Sequence, residues 1–279
     1  MKITVAIPHY NDAENLDKLL GQLSEKGFDQ VLVLDDNSTD DAVRQLAQKY
    51  PYAEFVFGDA NLGPGGNRNR VIGRTQADLI WFLDSDMEIK TENPRAEIEK
   101  LFVKNMRQVV GTLILGDGNE PMWWNYGYFT HPEKDAKFCS LAYGRKKDQA
   151  ARDTLRELGW DYAWIDWLGE KSVRRKVDWS AEGSLIVPAK LFEPIGGYDE
   201  EFKYHEGQDL TWRLREAGAE TFFDPAIVVS HKATRSRRNE IDLADEEAAR
   251  VRFYKRAYGD SVTSSALYSL MEDESEEAK

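Results

Sequence analysis

Cysteine is almost absent from this chain: Cys139 stands alone among 279 residues. An intramolecular disulfide is therefore excluded, no zinc-type cysteine spacing exists, and a lone thiol fits a reducing compartment. Basic charge is short as well, with 37 Lys and Arg against 50 Asp and Glu and a formal charge of −13. A dedicated nucleic-acid binder would carry the opposite balance, so no nucleic-acid partner is expected. Long apolar runs are missing too. No stretch approaches the roughly 18 apolar residues of a spanning helix, and the apolar part of "MKITVAIPHYND" is much shorter than a secretory leader requires. The expectation is a cytoplasmic protein, with a peripheral contact to the inner face of the membrane left open. Apolar residues still make up 41% of the chain, enough for a substantial core in one large α/β domain. No internal repeat is visible.

What is present alternates. "ITVAIP" (3–8), "QVLVLDD" (30–36), "AEFVFG" (53–58) and "DLIWFLDSD" (78–86) read as buried strands. Between them lie helical stretches: 13–27 with leucines at 16, 19, 20 and 23, then 38–50 with Ser38 or Thr39 as N-cap, then "GGNRNRVIGRTQ" (65–76). Near-continuous apolar strands alternating with helices predict a mostly parallel, Rossmann-like sheet covered on both faces. Such sheets bind ligands at the carboxyl ends of their strands. "HYND", "DDNSTD", "NLGPGGNRN" and "DSD" all fall there.

Segments 1–116 and 178–239 thus read as two halves of one domain, separated by an insertion at 117–177. Residues 117–180 hold six of the eight tryptophans and two basic triplets, Arg145-Lys146-Lys147 and Arg174-Arg175-Lys176. Trp160, Trp164 and Trp167 share one helical face. Core or lid packing, stacking on an acceptor sugar, and seating at a membrane interface are the readings open to them. Segment 240–279 reads as a charged helix, which could pair with a second copy, followed by an acidic tail.

Asp84-Ser85-Asp86 places two carboxylates at the mouth of a buried strand. Alternating acids there suit a hard divalent cation, Mn²⁺ or Mg²⁺, that also shares substrate phosphates; turn chemistry is the plainer account. Asp35, Asp36 and Asp40 follow the second strand, where one carboxylate could accept from a nucleobase and another could cap a turn. "NLGPGGNRNR" is a glycine-rich loop feeding a helix N-terminus, which favours an anion, with Arg68 and Arg70 nearby. It lacks the P-loop spacing, and the first strand–helix turn lacks the dinucleotide fingerprint.

In this order the pieces resemble the family-2 nucleotide-sugar glycosyltransferases of the GT-A fold. The resemblance spans roughly 1–116 and 178–235. It is carried by Ile7 to Asn11, Asp35 to Asp40, Asn61, Gly63, Arg68-Asn69, Asp84 to Asp86 and "GGYDEEF…EGQDLTWRLREAG". It implies a donor nucleotide-sugar lying over the strand ends, with Pro8 and Tyr10 flanking the base and Asp36 (or Asp35) contacting it. Asn11, Asn61, Gly66 and Ser85 would join that site, Arg68 would order it, and Asp84 would lie on the ribose side. Asp86 would bind the metal, and His231, from "VVSHKATRSRR", could complete the metal or diphosphate site or be a core histidine. Lys232, Arg235, Arg237 and Arg238 read as a lid on the diphosphate or as a solvated loop.

Transfer of a glycosyl group also needs a carboxylate to take the proton of the acceptor hydroxyl. In the resembled family it comes from an acidic pair before a "DL..R" helix. This chain has "YHEGQDLTWR", with Gly207 where the base aspartate would most often lie, so the expectation passes to Glu206 or Asp209. The implied activity is inverting, metal-dependent transfer from a UDP-linked donor to a saccharide or lipid-linked saccharide in bacterial surface-polysaccharide assembly. The alternatives are a non-catalytic scaffold of the same fold, suggested by Gly207, and a sugar nucleotidyltransferase. The latter would need a glycine-rich basic loop after the first strand, where "PHYNDAEN" offers none.

Overall fold

The computed structural model describes residues 1–116, 118–122, 124–127, 129, 173–232 and 243–259. Cys139, His131, Trp123, the tryptophans at 160, 164 and 167, the triplet at 145–147, the arginines at 235, 237 and 238, and the acidic tail lie outside them.

The described residues build a nine-stranded sheet. Its first half is β1 (Ile3–His9), β2 (Gln30–Asp35), β3 (Glu54–Phe57) and β4 (Leu79–Leu83), ordered β3-β2-β1-β4 and all parallel. The sheet continues through β10 (Ser184–Pro188), β6 (Gln108–Leu115), β11 (Glu220–His231) and β5 (Met87–Ile89), and β8 (Arg175–Val177) also pairs with β11. Here the pairing is mixed: β10 runs antiparallel to β4 and β6, β11 is parallel to β6 and antiparallel to β5. Two short strands, β7 (Tyr126–Gly127) and β9 (Trp179–Ser180), form a separate ribbon.

Both faces are covered, as period-2 burial of apolar strands requires. One face sets Ile3, Val5, Ile7, Val31, Val33 and Trp81 against α1 (Ala13–Leu23) and α4 (Pro94–Phe102). The four leucines read from sequence, 16, 19, 20 and 23, are the buried stripe of α1. The other face sets Leu32, Leu34, Ile80, Phe82 and Leu185 against the short α5 (Ala189–Phe192) and α6 (Glu206–Glu216). Each fully buried leucine contributes about 1.5–3 kcal/mol.

Two helix starts differ from expectation. Helix α2 spans Ala42–Lys49 with Asp41 at its N-cap, because Ser38 and Thr39 are engaged elsewhere. Helix α6 begins at Glu206, ahead of the "DLTWR" stretch expected to open it, so Glu206 and Gly207 lie in its first turn. The glycine-rich stretch forms a seven-residue helix, α3 (Gly63–Asn69). The C-terminal helix α7 spans Leu243–Tyr258, and its Ala249, Phe253 and Tyr254 are buried against Phe202, Phe129 and Trp212 of the same chain. The triplet at 174–176 is in part structural: Arg174 binds Asp224 and Gln108, and Lys176 binds Glu220.

Candidate active site

The expected polar segments converge at the carboxyl ends of β1, β2 and β4. Parallel register sets His9 beside Asp35, and Asp36 N–H donates to the His9 carbonyl at 2.9 Å. Asp35 accepts from Ser38 N–H at 3.2 Å and Ser38 Oγ at 2.5 Å, a local turn typical of Asp. Asn11, in the left-handed region at φ +50°, joins the two loops: its Oδ1 accepts from Thr39 N–H at 2.8 Å, and its own N–H donates to Ser38 Oγ at 3.0 Å. Pro8 is half-buried beside it and Tyr10 is exposed at the rim.

Asp36 has a different occupation from the one its position suggests. Its two oxygens accept from Leu62 N–H and Gly63 N–H, both at 2.9 Å, at the start of α3. The helix N-terminus that looked like an anion cradle is thus filled by the protein's own carboxylate. Asn61 Oδ1 also accepts from Gly63 N–H, at 3.1 Å. Gly66 is buried, and a Cβ there would stand 2.7 Å from that of Leu62, so the loop tolerates no side chain.

Helix α3 delivers Arg68 to the interior, 2% exposed. Its Nη2 donates to Asp84 Oδ1 at 2.5 Å, and its guanidinium lies over the Tyr198 ring. Nε and Nη1 of Arg68 have no hydrogen-bond partner among the described residues. Burial works against the Arg68 charge, but Asp84, Tyr198, Glu182 and Glu206 outweigh it and hold its pKa above the usual value. Asn69 fixes the facing segment: it donates to the Tyr198 carbonyl and accepts from Tyr198 N–H, each at 2.8 Å.

The Asp84–Asp86 turn leads into β5, whose antiparallel pairing places Met87 opposite His231 at the end of β11. Lys232 N–H donates to the Asp86 carbonyl at 2.8 Å and locks that register. In consequence His231 Nε2 stands 3.2 Å from Asp86 Oδ2, both side chains remaining partly exposed, and the imidazole meets the Trp124 ring edge-on. Ser85 is buried between the two acids. Neighbouring ligands of an octahedral ion, each about 2.1 Å from it, stand about 3 Å apart, so this N,O pair fits one Mn²⁺ or Mg²⁺. Among the described residues no group of three or more His, Cys, Asp or Glu could hold an ion.

The two acids expected to supply a base differ sharply. Asp209 is 0% exposed and accepts from Arg213 Nε at 2.8 Å and from Arg256 Nη1 of α7. Both guanidiniums enclose it. Glu206 is 6% exposed, and burial first, then the Glu182 charge, push its carboxyl up to about 8. His205 before it sits at φ +60°, and burial pulls its imidazole down to about 3.

Glu182, given no role from the sequence, stands beside these acids. It lies in the turn between β9 and β10, half-buried, where the next residue's carbonyl accepts Asp84 N–H at 2.9 Å. A Cβ at Gly207 would lie 2.2 Å from Glu182 Oε2. The only hint in sequence was the unexplained glycine at 207.

A parallel sheet half with acids at its carboxyl edge, continued by mixed strands that bring in a histidine and a buried carboxylate helix, is the GT-A architecture. The family model described as "Glycosyl transferase family 2" matches residues 4–155. The chain belongs to that family. It is 25% identical over 241 residues to the pre-mycofactocin glycosyltransferase of Mycobacterium tuberculosis, covering 82% of this chain and 42% of that protein. It is also 25% identical over 213 residues to the O-antigen chain rhamnosyltransferase of Salmonella anatum, covering 76% and 59%. The chain therefore spans well under two thirds of these relatives' lengths. The crystal structure of GalNAc-T7 with UDP, GalNAc and Mn²⁺ superposes with a TM-score of 0.63 at 12% identity, over 98% of this chain and 54% of that one. No helix among the described residues is long and apolar enough to cross a membrane.

Proposed function

We propose that this chain transfers a sugar from a nucleoside-diphosphate donor, UDP-linked, to a saccharide or lipid-linked saccharide acceptor, with inversion and with a divalent cation, Mn²⁺ or Mg²⁺. The observation that carries the proposal is the 3.2 Å pairing of Asp86 with His231, set beside the buried Arg68–Asp84 pair at the carboxyl edge of the sheet. The family, the Mn²⁺ and UDP in the GalNAc-T7 structure, and the O-antigen role in the name of the Salmonella relative support it. The latter favours bacterial surface-polysaccharide or glycoconjugate assembly.

The acceptor oxygen attacks the anomeric carbon while the carbon–oxygen bond to the diphosphate breaks and its electron pair leaves with the nucleoside diphosphate. A divalent ion, when bound, supplies Lewis-acid neutralisation of that leaving group. Asp86 and His231 would hold it. Pro8, Tyr10 and Asn11 line the rim where a base would rest, Asp36 and Asn61 hold the loop beside it, and Arg68 fixes Asp84 toward the ribose. Glu206 is shut in by burial, with its carboxyl pushed up to about 8, and Asp209 is enclosed by arginines. Calorimetry with UDP-glucose, UDP-GlcNAc, GDP-mannose and a dTDP-sugar, with and without Mn²⁺, tests the proposal. Metal-dependent binding of one donor is expected, and a flat response to all four would sink it.

A further inference from the structure

Three features carry the inference, which rests on the transferase reading above. First, Gly207 sits in the first turn of α6 with no left-handed backbone to demand glycine. The nearest atoms to a Cβ there are those of the Glu182 carboxylate, Oε2 at 2.2 Å and Cδ at 3.2 Å, followed by the Ser180 carbonyl at 3.4 Å, so a side chain at 207 would have to turn Glu182 aside. The Glu182 carboxylate therefore fills the volume that a side chain at 207 would enter. Second, the turn that carries Glu182 adjoins Asp84. Gly183, next to Glu182, binds Asp84 through its carbonyl, and a Cβ on Gly183 would stand 3.2 Å from Asp84 Oδ2. Third, the competing carboxylates in this wall are engaged or shut away: Asp84 by Arg68, Asp209 by Arg213 and Arg256, Glu206 by burial. Asp84 and Glu182 are the half-buried two of the four, and of these only Glu182 has no arginine hydrogen-bonded to it among the described residues.

We infer that Glu182 is the general base of the transfer, entering from the β9–β10 turn into the space left by Gly207. In the step, the acceptor hydroxyl oxygen bonds to the anomeric carbon, its proton passes to a Glu182 oxygen, and the sugar–diphosphate bond breaks with its electron pair going to the diphosphate oxygen. Loss of solvation and the Asp84 charge raise the Glu182 carboxyl while Arg68 opposes them.

The test uses the full chain with Mn²⁺ and the donor of the four-sugar panel that binds tightest, reading donor affinity, melting temperature and nucleotide release. Glu182→Gln should keep donor affinity within about twofold and lower release by about 100-fold or more, the usual loss for a general base. Gly207→Asp alone should lower the melting temperature, since two carboxylates would compete for one space. The double variant Glu182→Gly with Gly207→Asp removes that clash and presents a carboxylate from the other side. It should release nucleotide at least about tenfold faster than Glu182→Gln. Release by Glu182→Gln within about threefold of wild type overturns the assignment, as does a double variant that binds donor yet stays at the Glu182→Gln rate. A wild type that binds donor but releases nothing also overturns it. A wild type that binds no donor overturns the transferase reading itself.

Discussion

His231 Nε2 and Asp86 Oδ2 stand 3.2 Å apart although they lie far apart in the sequence, one closing β11 and the other preceding β5. The antiparallel β5–β11 pairing and the Lys232 N–H bond to the Asp86 carbonyl make the meeting obligatory. Asp86→Ala and His231→Ala should each abolish the Mn²⁺ dependence of donor binding while leaving the melting temperature of the unliganded protein nearly unchanged. Lewis-acid stabilisation is worth several kcal/mol, so nucleotide release should fall by about 100-fold or more in each. Calorimetry with and without EDTA decides the matter; a His231→Ala protein with the wild-type metal response would remove His231 from the site.

Asp209 is predicted to matter for stability rather than for proton transfer. Removing it would take the shared carboxylate from Arg213 and Arg256 and cut one polar tie between α6 and α7, leaving the aromatic packing on Trp212. Breaking a buried pair costs about 3–5 kcal/mol, and the lower end applies because both guanidiniums keep some solvent contact. Asp209→Ala should thus lower the melting temperature by about 6–12 °C. Donor affinity measured below that transition should change less than about threefold. A stable Asp209→Ala protein with no turnover would reverse this assignment and return Asp209 to the chemistry.

These two residues show what was legible in the sequence. The strands and helices of the first half followed from apolar period, and the resemblance named Asp86 and His231 from the order of motifs. The three-residue strand that brings them together has too few residues to show a period, so the cause of their meeting was invisible. The surroundings of Asp209 and Glu182 were invisible because their neighbours, Arg256 and Gly207, are distant in sequence, and tertiary contacts leave no local pattern. Gly207 looked like a loss of function. It is better understood as half of an exchange.

Stability should fall as pH rises from about 6.5 to about 8, and Glu206 is the reason. Its folded carboxyl is pushed up to about 8 from 4.5, so between those values the native state holds a proton that the unfolded chain has released. Stability then declines with pH, by at most about 1.4 kcal/mol per unit, and the decline ends above 8. His205 has the opposite sign: pulled down to about 3 from 6.5, it makes stability rise with pH up to 6.5. The two contributions oppose each other between 4.5 and 6.5, which leaves 6.5–8 as the window where Glu206 acts alone of the pair. Melting temperatures of the metal-free protein across that window should slope downward in wild type and less steeply in Glu206→Gln, where the raised Glu182 and Asp84 carboxyls remain. An equal slope in both would mean that Glu206 is ionised in the native state.

Asp36 closes the glycine loop, and its removal should be felt in donor affinity before it is felt in chemistry. Each of its oxygens accepts one backbone N–H, from Leu62 and from Gly63, at the N-terminus of α3. That helix carries Arg68 into the site, so a frayed first turn loosens the guanidinium that holds Asp84. Losing an N-terminal acceptor of this kind costs about 0.5–2 kcal/mol, which corresponds to a weakening of donor binding of roughly two- to thirtyfold if the bound state must restore the turn. Asp36→Asn keeps one acceptor oxygen and can serve only one of the two amides, so it should fall between wild type and Asp36→Ala. Hydrogen exchange at the amides of 62 and 63 should quicken in the same order. If exchange quickens while donor affinity stays at the wild-type value, the loop is not part of the donor site, and Asp36 serves the fold alone.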